Sequence, residues 1–410
     1  MPTVNLVDEE LLRDPCRGYA RIRAQAPLAR GVSPGMDPVW LVIRYDDVKE
    51  VLSDPRFVNN PVNVPGIGLR NVTEQALRAR GVPAAYLKYR LNQMLEFDGA
   101  DHARLRGLVS QAFTVRRVAA LRPRTEEITR RLLDRLPAAA DAGVVDLMRH
   151  FASPFPDTLL CDLVGIPAAD RARWRRWRTA IWPRATKDGA QAWPEMIDYL
   201  RELIARRRAE PADDLISGLI RAHDEDGDRL SETEMITMIL ILGQTGHLTT
   251  VQLIGLGVLA LLTHPAQLAL LRDDPELMPR AVHELLRWCG PAPAPRARYA
   301  TEDLHIGGMP VRKGEAVVPS LLAANYDPGA FPDPGRFDIT RAPDGRRESH
   351  VAFGAGPHYC LGAALARQEA EVAFGALLRR YPGLTLAVDP GDLEREPAGD
   401  RGLRALPVRL

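Results

Sequence analysis

The chain is poor in cysteine and in net charge, and each shortage excludes a class of function. Only four cysteines occur in 410 residues, at Cys16, Cys161, Cys289 and Cys360, and no two form a CxxC pair. A disulfide framework and a thiolate zinc site are disfavoured, and a reducing cytosol is expected. The formal net charge is +1, so no global attraction to nucleic acid or to an acidic membrane is expected. Met1 to Arg30 holds charges throughout and no apolar run of signal length, which predicts neither secretion nor an N-terminal anchor. What remains is the balance of a globular protein, 46% hydrophobic and 26% charged, with length for one large domain or two ordinary ones.

One stretch organises the rest: Phe353-Gly354-Ala355-Gly356-Pro357-His358-Tyr359-Cys360-Leu361-Gly362. Its glycines permit tight or left-handed backbone around one sulfur, and an Ala/Leu-rich helical run, Ala363 to Leu378, comes directly after it. Backbone N–H groups and the positive end of that helix would both favour a thiolate. A thiolate so held can be a nucleophile, a zinc ligand or an axial haem ligand, and zinc lacks a second cysteine nearby. A buried structural cysteine is the bland alternative. The spacing Phe353-x-x-Gly356-x-x-x-Cys360-x-Gly362 resembles the haem-binding loop of the cytochromes P450. The resemblance implies haem b with Cys360 as axial iron ligand, Phe353, Gly354 and Gly362 beside the haem, and His358 on a propionate with His350 assisting.

Leu11 to Phe57 reads as helix, hairpin, helix, with Trp40–Ile43 as a strand and Tyr45–Val48 capping the second helix. Residues 58–90 read as an irregular loop with a short helix near Thr73–Arg80, either a substrate loop or a solvent-exposed connector. Asp98 is placed to cap a helix on which His102 and Arg106, four apart, share a face. By resemblance this is the P450 C-helix, whose matching residues bond a propionate. Residues 117–230 are helical in pattern, with breaks at Pro137, Pro154–Pro156, Pro167 and Pro183. Arginines alternate with Trp174 and Trp177, but over too short a span for nucleic-acid binding. By resemblance 167–200 is the F–G region, and Trp174, Trp177, Trp182 and Trp193 are expected to pack rather than line an entrance.

Ser231 to Thr263 has the longest helical pattern, opened by a capping box Ser231-x-x-Glu234. As one helix it would run about 50 Å. It is apolar all round and so buried, while Gln244, Thr245, Gly246, His247, Thr249, Thr250 and Gln252 argue against a membrane span. Such polar groups are costly in an interior, and a threonine hydroxyl can bond back to a carbonyl one turn earlier. The segment resembles the P450 I-helix except that Leu248 stands where the family has an acid. The resemblance implies that Thr249 holds dioxygen, with Thr250 as second hydroxyl. Leu248 cannot relay protons, so water, Gln244 or a polar substrate group would complete the relay; alternatively the reaction is radical coupling. Thr245, Gly246 and Leu248, with Pro293 and Ala294 from an extended Pro-rich segment, are the expected pocket residues.

Glu284-x-x-Arg287 shares one helical face. With Arg336 it matches the structural Glu-Arg-Arg triad of the family. Arg298 matches the arginine of a propionate-binding strand, and Gly307-Gly308 reads as a hairpin turn. Tyr326 replaces an arginine usual in the family.

The resemblance, from about Asp14 to Leu406, implies one P450 domain over 1–410, mainly α with a smaller β region: a triangular prism crossed by the 231–263 helix, with the haem-thiolate loop at 350–362. It implies a soluble class I bacterial enzyme that activates dioxygen to hydroxylate or epoxidise a specialised metabolite, a polyketide, macrolide, peptide or aromatic. Coupling of aromatic or cyclic-dipeptide substrates is the alternative; a cysteine-nucleophile enzyme or a haem carrier are the rivals from other classes. No flavin or ferredoxin domain is evident, so a ferredoxin and its reductase would supply electrons, docking near Arg104, Arg116, Arg346 and Arg367. The remaining expectations are a cytoplasmic monomer with no nucleic-acid or membrane partner.

Overall fold

The computed structural model describes the chain apart from residues 9–10, 12, 34–35, 182–188, 226–229, 342–348 and 397–401, so Trp182, Pro183 and Arg346 lie outside the described residues. Two compact units emerge: a first from Met1–Val58, Val118–Pro156 and Thr249–Leu410, and a second from Asn59–Arg117 and Asp157–Leu248. Helix makes up 59% of the structure, with a smaller sheet region. Six helices carry or support the candidate site residues: α1 (Gly99–Ser110), α2 (Arg171–Ile181), α3 (Glu232–Thr245), α4 (Leu248–Thr263), α5 (Met278–Cys289) and α6 (Ala363–Arg380).

The first unit holds the sheets. Its strands are β1 (Thr3–Asn5), β2 (Leu28–Ser33), β3 (Met36–Val42), β4 (Phe57–Val58), β5 (Val144–Asp146), β6 (Arg298–Ala300), β7 (Leu304–Ile306), β8 (Met309–Val311), β9 (Ala316–Pro319), β10 (Thr385–Leu386) and β11 (Pro407–Arg409). The main sheet runs β1-β2-β3-β9-β6-β4. Register pairs Leu28 with Val42 and Trp40 with Val317, and sets Arg298 opposite Val317. Leu28, Val42, Val48, Val51, Ala300, Val317 and Val351 close one core against this sheet. The β7–β8 hairpin turns on Gly307 and Gly308, both at positive φ (54° and 80°), as the sequence pattern predicts. The helix Tyr45–Ser53 is capped differently from expectation: Asp327 Oδ2 accepts from Tyr45 N at 2.8 Å, and no local side chain caps it.

On α5, Glu284 and Arg287 are 3% and 1% exposed and joined by two hydrogen bonds of 2.7 Å. Arg287 Nη1 also donates to the Asn325 and Pro334 carbonyls, both at 2.9 Å, and Glu284 Oε1 accepts from Asp338 N at 3.0 Å. Arg336 contributes only its carbonyl, which accepts from Arg287 at 3.3 Å; its guanidinium is 65% exposed, 3.6 Å from Asp338. The second guanidinium beside Glu284 belongs to Arg341, at 3.4 Å, correcting the expected Arg336. Arg341 comes after the Asp338 turn, whose N–H is already tied to Glu284, so the fold rather than the motif selects it. Tyr326 joins the same cluster: its ring lies 5.4 Å from the Arg287 guanidinium and its hydroxyl donates to the Trp288 carbonyl at 2.8 Å.

In the second unit the 58–90 stretch holds more helix than expected, Val72–Ala79 and then Ala84–Leu91. The latter starts after Pro83 and buries only Leu87 and Tyr89, too few apolar positions for its periodicity to stand out. Asp98 occupies the N-cap of α1 but does not cap it. Its carboxylate accepts instead from Asn59 N (3.1 and 3.0 Å) and Asn59 Nδ2 (2.7 Å). Trp174, Trp177 and Trp193 are 1%, 3% and 2% exposed, so these three indoles pack.

The long apolar helix is not continuous. Its capping box is present, with Ser231 Oγ accepting from Glu234 N at 3.2 Å and Glu234 Oε2 from Ser231 N at 2.7 Å. Yet α3 ends at Thr245 and α4 begins at Leu248, with Gly246 and His247 between them. Glycine costs helix about 1 kcal/mol relative to alanine, and the Thr245 hydroxyl bonds back to the Ile241 carbonyl at 2.8 Å. Glu232–Thr263 is long and apolar enough to cross a membrane, but most of its apolar window is buried inside the protein.

Candidate active site

The Cys360 loop is closed by its own backbone. Cys360 N donates to Phe353 O at 2.9 Å, Gly354 N to Val351 O at 2.8 Å and Tyr359 N to Gly356 O at 3.0 Å. Gly356 sits at φ +68°, and a Cβ there would come within 2.4 Å of the Leu52 carbonyl, so only glycine fits. Gly362 is the N-cap of α6, which sets Cys360 two residues ahead of it, near the positive end of the helix. The Arg367 guanidinium lies 5.4 Å from the centre of the Phe353 ring. The positive helix end favours a thiolate at Cys360, which is half-buried. Cys161 shows the contrast: burial first, then Asp157, push its thiol up to about 12.

His350 is buried and committed within the loop region. Its Nδ1 accepts from Ala352 N at 3.3 Å, which leaves the proton on Nε2 to bond His283 Nδ1 at 3.2 Å. Burial, then His283, push it down to about 3, so it stays neutral. It positions Phe353 (ring centres 6.0 Å apart) and has no ring nitrogen left for a propionate, a correction to the assisting role expected of it. His358 closes the short turn Gly356–His358, and Arg298 lies 3% exposed in β6. Pro293 and Ala294 are half-buried in an irregular segment, where the Pro293 carbonyl accepts from Leu322 N at 3.0 Å.

On α4, Thr249 is exposed and Thr250 buried. Thr250 shares a hydrogen bond with Glu369 of α6, a fully buried carboxyl that burial pushes up to about 8. Glu369 therefore keeps its proton at neutral pH. Sequence reasoning missed it, although the signal was there: an acid four residues after Leu365 and four before Ala373, on the buried face of α6. Gln252, polar in the same helix, is structural, bonding Leu403 N (2.8 Å) and O (3.3 Å).

In the second unit, α1 presents His102, 2% exposed, and Arg106 one turn on. Thr245 and Gly246 are exposed although the residues before them are buried, which marks an accessible face in the interruption, with Leu248 half-buried. Two expected relay or pocket groups are already engaged: Gln244 accepts from Gln93 at 3.3 Å, and the Thr245 hydroxyl is held by its own helix. Arg104 is ion-paired with Glu234, which reduces its availability for docking.

These residues suit a haem. In the first unit a thiolate at a helix start can ligate iron, Arg298 and His358 can meet a carboxylate, and a Cβ at Gly354 or Gly362 would meet nothing within 4 Å. Residues 171–398 match the cytochrome P450 family model. The chain belongs to the cytochrome P450 family: it is a haem b monooxygenase that takes electrons from a redox partner and oxidises a small molecule. It is 42% identical to 6-deoxyerythronolide B hydroxylase of Saccharopolyspora erythraea, covering 96% of this chain and 95% of that one. It is 43% identical to the cytochrome P450 monooxygenase PikC of Streptomyces venezuelae, covering 98% and 92%. The solved structure of PksS from Bacillus subtilis superposes with a TM-score of 0.86 at 36% identity, covering 99% of both chains. The cysteine-nucleophile and haem-carrier readings are set aside.

Proposed function

We propose that this enzyme hydroxylates or epoxidises a macrolide or other polyketide. The end-to-end similarity to relatives named 6-deoxyerythronolide B hydroxylase and mycinamicin IV hydroxylase/epoxidase (Micromonospora griseorubida, 39% identical) carries the substrate class. Cys360 would ligate the iron, with Arg298 and His358 of the first unit and His102 and Arg106 of the second on the propionates. The haem, when bound, activates dioxygen, and a thiolate ligand favours O–O cleavage.

The chain's own residues supply orientation and protons. Thr249 offers an accessible hydroxyl on α4. Glu369 holds a proton at its carboxyl and shares a hydrogen bond with Thr250, the next residue along. That pair makes good the acid missing at Leu248, so a coupling reaction is not needed to account for the leucine. Electrons come from a ferredoxin and its reductase, with Arg116 and Arg367 as docking cations on a monomeric, cytoplasmic enzyme.

An absorption titration of the purified holoprotein with 6-deoxyerythronolide B, mycinamicin IV and a cyclic dipeptide tests this. A saturable spin-state shift with a macrolide or its aglycone is the expected result. A shift with the cyclic dipeptide alone would overturn the substrate class, and a protein without a thiolate-haem spectrum after haem is supplied would overturn the site.

A further inference from the structure

Among the described residues, the second unit buries a cation that the proposed reaction does not use. Arg178 on α2 is 7% exposed. Its Nη2 is ion-paired with Asp157, itself 2% exposed. Its Nη1 donates to the Gly243 carbonyl at 3.0 Å and lies 3.1 Å from His247 Nδ1. Asp157 also accepts from Arg175 Nη1 at 3.1 Å.

Gly243 stands in the last turn of α3. In a continuous helix its carbonyl would accept from the N–H of residue 247, but α3 stops at Thr245 and α4 starts at Leu248. The guanidinium takes up the acceptor that the interruption frees. It also takes Nδ1 of His247, so the imidazole proton sits on Nε2, and burial with the Arg178 charge pushes His247 down to about 4, keeping it neutral. Close packing brings the parts together: a Cβ on Gly243 would lie 2.7 Å from the indole of Trp174, one turn before Arg178. Burying an ion pair is costly, and a leucine or methionine would fill the same space at less expense in desolvation. The planar fork of arginine can hold Asp157 with one nitrogen and the freed carbonyl with another, which the single ammonium of lysine cannot match.

We propose that Arg178, anchored by Asp157, is a positioning residue for oxygen activation: it caps the freed Gly243 carbonyl, fixes His247, and so holds the interruption that immediately precedes Thr249. The inference rests on the oxygen-activation role proposed for Thr249. Without the guanidinium, residues 243–247 lose this anchor and open to water more often.

Arg178→Met, Arg178→Lys and Asp157→Asn would be compared with wild-type holoprotein in two measurements that need no substrate. In the first, hydrogen–deuterium exchange, residues 244–250 should exchange about tenfold faster in R178M, less so in R178K, with the rest of 157–248 unchanged. In the second, stopped flow, dithionite-reduced holoprotein mixed with aerated buffer should return to its ferric spectrum about fivefold faster in R178M. D157N should behave like R178M, and it carries the test if R178M does not fold. Unchanged exchange at 244–250, or faster exchange throughout 157–248, would overturn the positioning role; so would changed exchange with an unchanged return to the ferric spectrum. A wild-type protein lacking the thiolate-haem spectrum would sink the proposed site instead, and the exchange measurement would still judge the Arg178 clamp.

Discussion

Two of the places where this protein sets polar groups among apolar neighbours do so in opposite ways. Around Glu284 and Arg287 the carboxylate and the guanidinium have multiple partners and almost no exposure. Between Thr245 and Thr250 the helix is interrupted, Thr245, Gly246 and Thr249 are exposed, and a neighbouring carboxyl stays protonated. The first arrangement is saturated and can only hold structure. The second keeps accessible hydroxyls and a movable proton, which is what a reaction needs. Satisfaction of the polar groups, rather than their presence, separates scaffold from site.

The strongest way to break that comparison is Arg287→Ala. It takes from buried Glu284 its two shortest hydrogen bonds and leaves only Arg341 at 3.4 Å and the Asp338 N–H, at a cost of about 3 kcal/mol. Thermal unfolding temperature and haem content should both fall sharply, and a holoprotein of wild-type stability would show that the cluster is not structural. Next comes Thr249→Ala, which leaves folding alone and removes the accessible hydroxyl. Product formed per electron pair should drop on the order of 10²-fold, with peroxide taking its place, since that is the scale of a positioned proton-transfer group. Unchanged coupling would remove Thr249 from the mechanism.

Glu369→Gln should act more gently, about tenfold on turnover, because water and hydroxyls still carry protons. Its signature is in the pH profile. In the wild type the carboxyl protonates below about 8, so turnover should decline as pH rises through that value, and the Gln variant should lose this limb. Stability gives an independent check. A carboxyl raised in the folded state binds a proton that the unfolded chain releases near its ordinary value of 4.5, so wild-type stability falls from about pH 4.5 up to about 8. The Gln variant should lack that fall; an equal decline in both proteins would remove Glu369 as its source. The smallest effect is expected at Glu74→Ala. Glu74 and Arg78 repeat the Glu–Arg pairing at 2.7 Å, but on an exposed surface at 37% and 57%, where such a pair contributes about 0.3–0.5 kcal/mol. A loss comparable to that at Arg287 would mean that burial does not set the value of the pair.

Much of this was readable from the chain alone, and the failures share a cause. The Cys360 loop, the capping box at Ser231, the hairpin at Gly307-Gly308 and the Glu284–Arg287 pair were visible because each is written within ten residues. The groups that were missed belong to contacts across the sequence. Asp327 caps a helix that starts at Tyr45, Arg341 takes the place expected of Arg336, and Glu369 gains its partner from α4. Gln244, a relay candidate by sequence, gains a partner in Gln93, 151 residues away.

The sequence by itself determined the family, the thiolate loop and the helical stretches, because glycine placement, caps and periodicity act through backbone geometry over a few residues. Only the tertiary structure decided which carboxyl keeps its proton and which arginine is buried. Those outcomes depend on desolvation and on hydrogen bonds between residues far apart in the chain, and no local pattern encodes them.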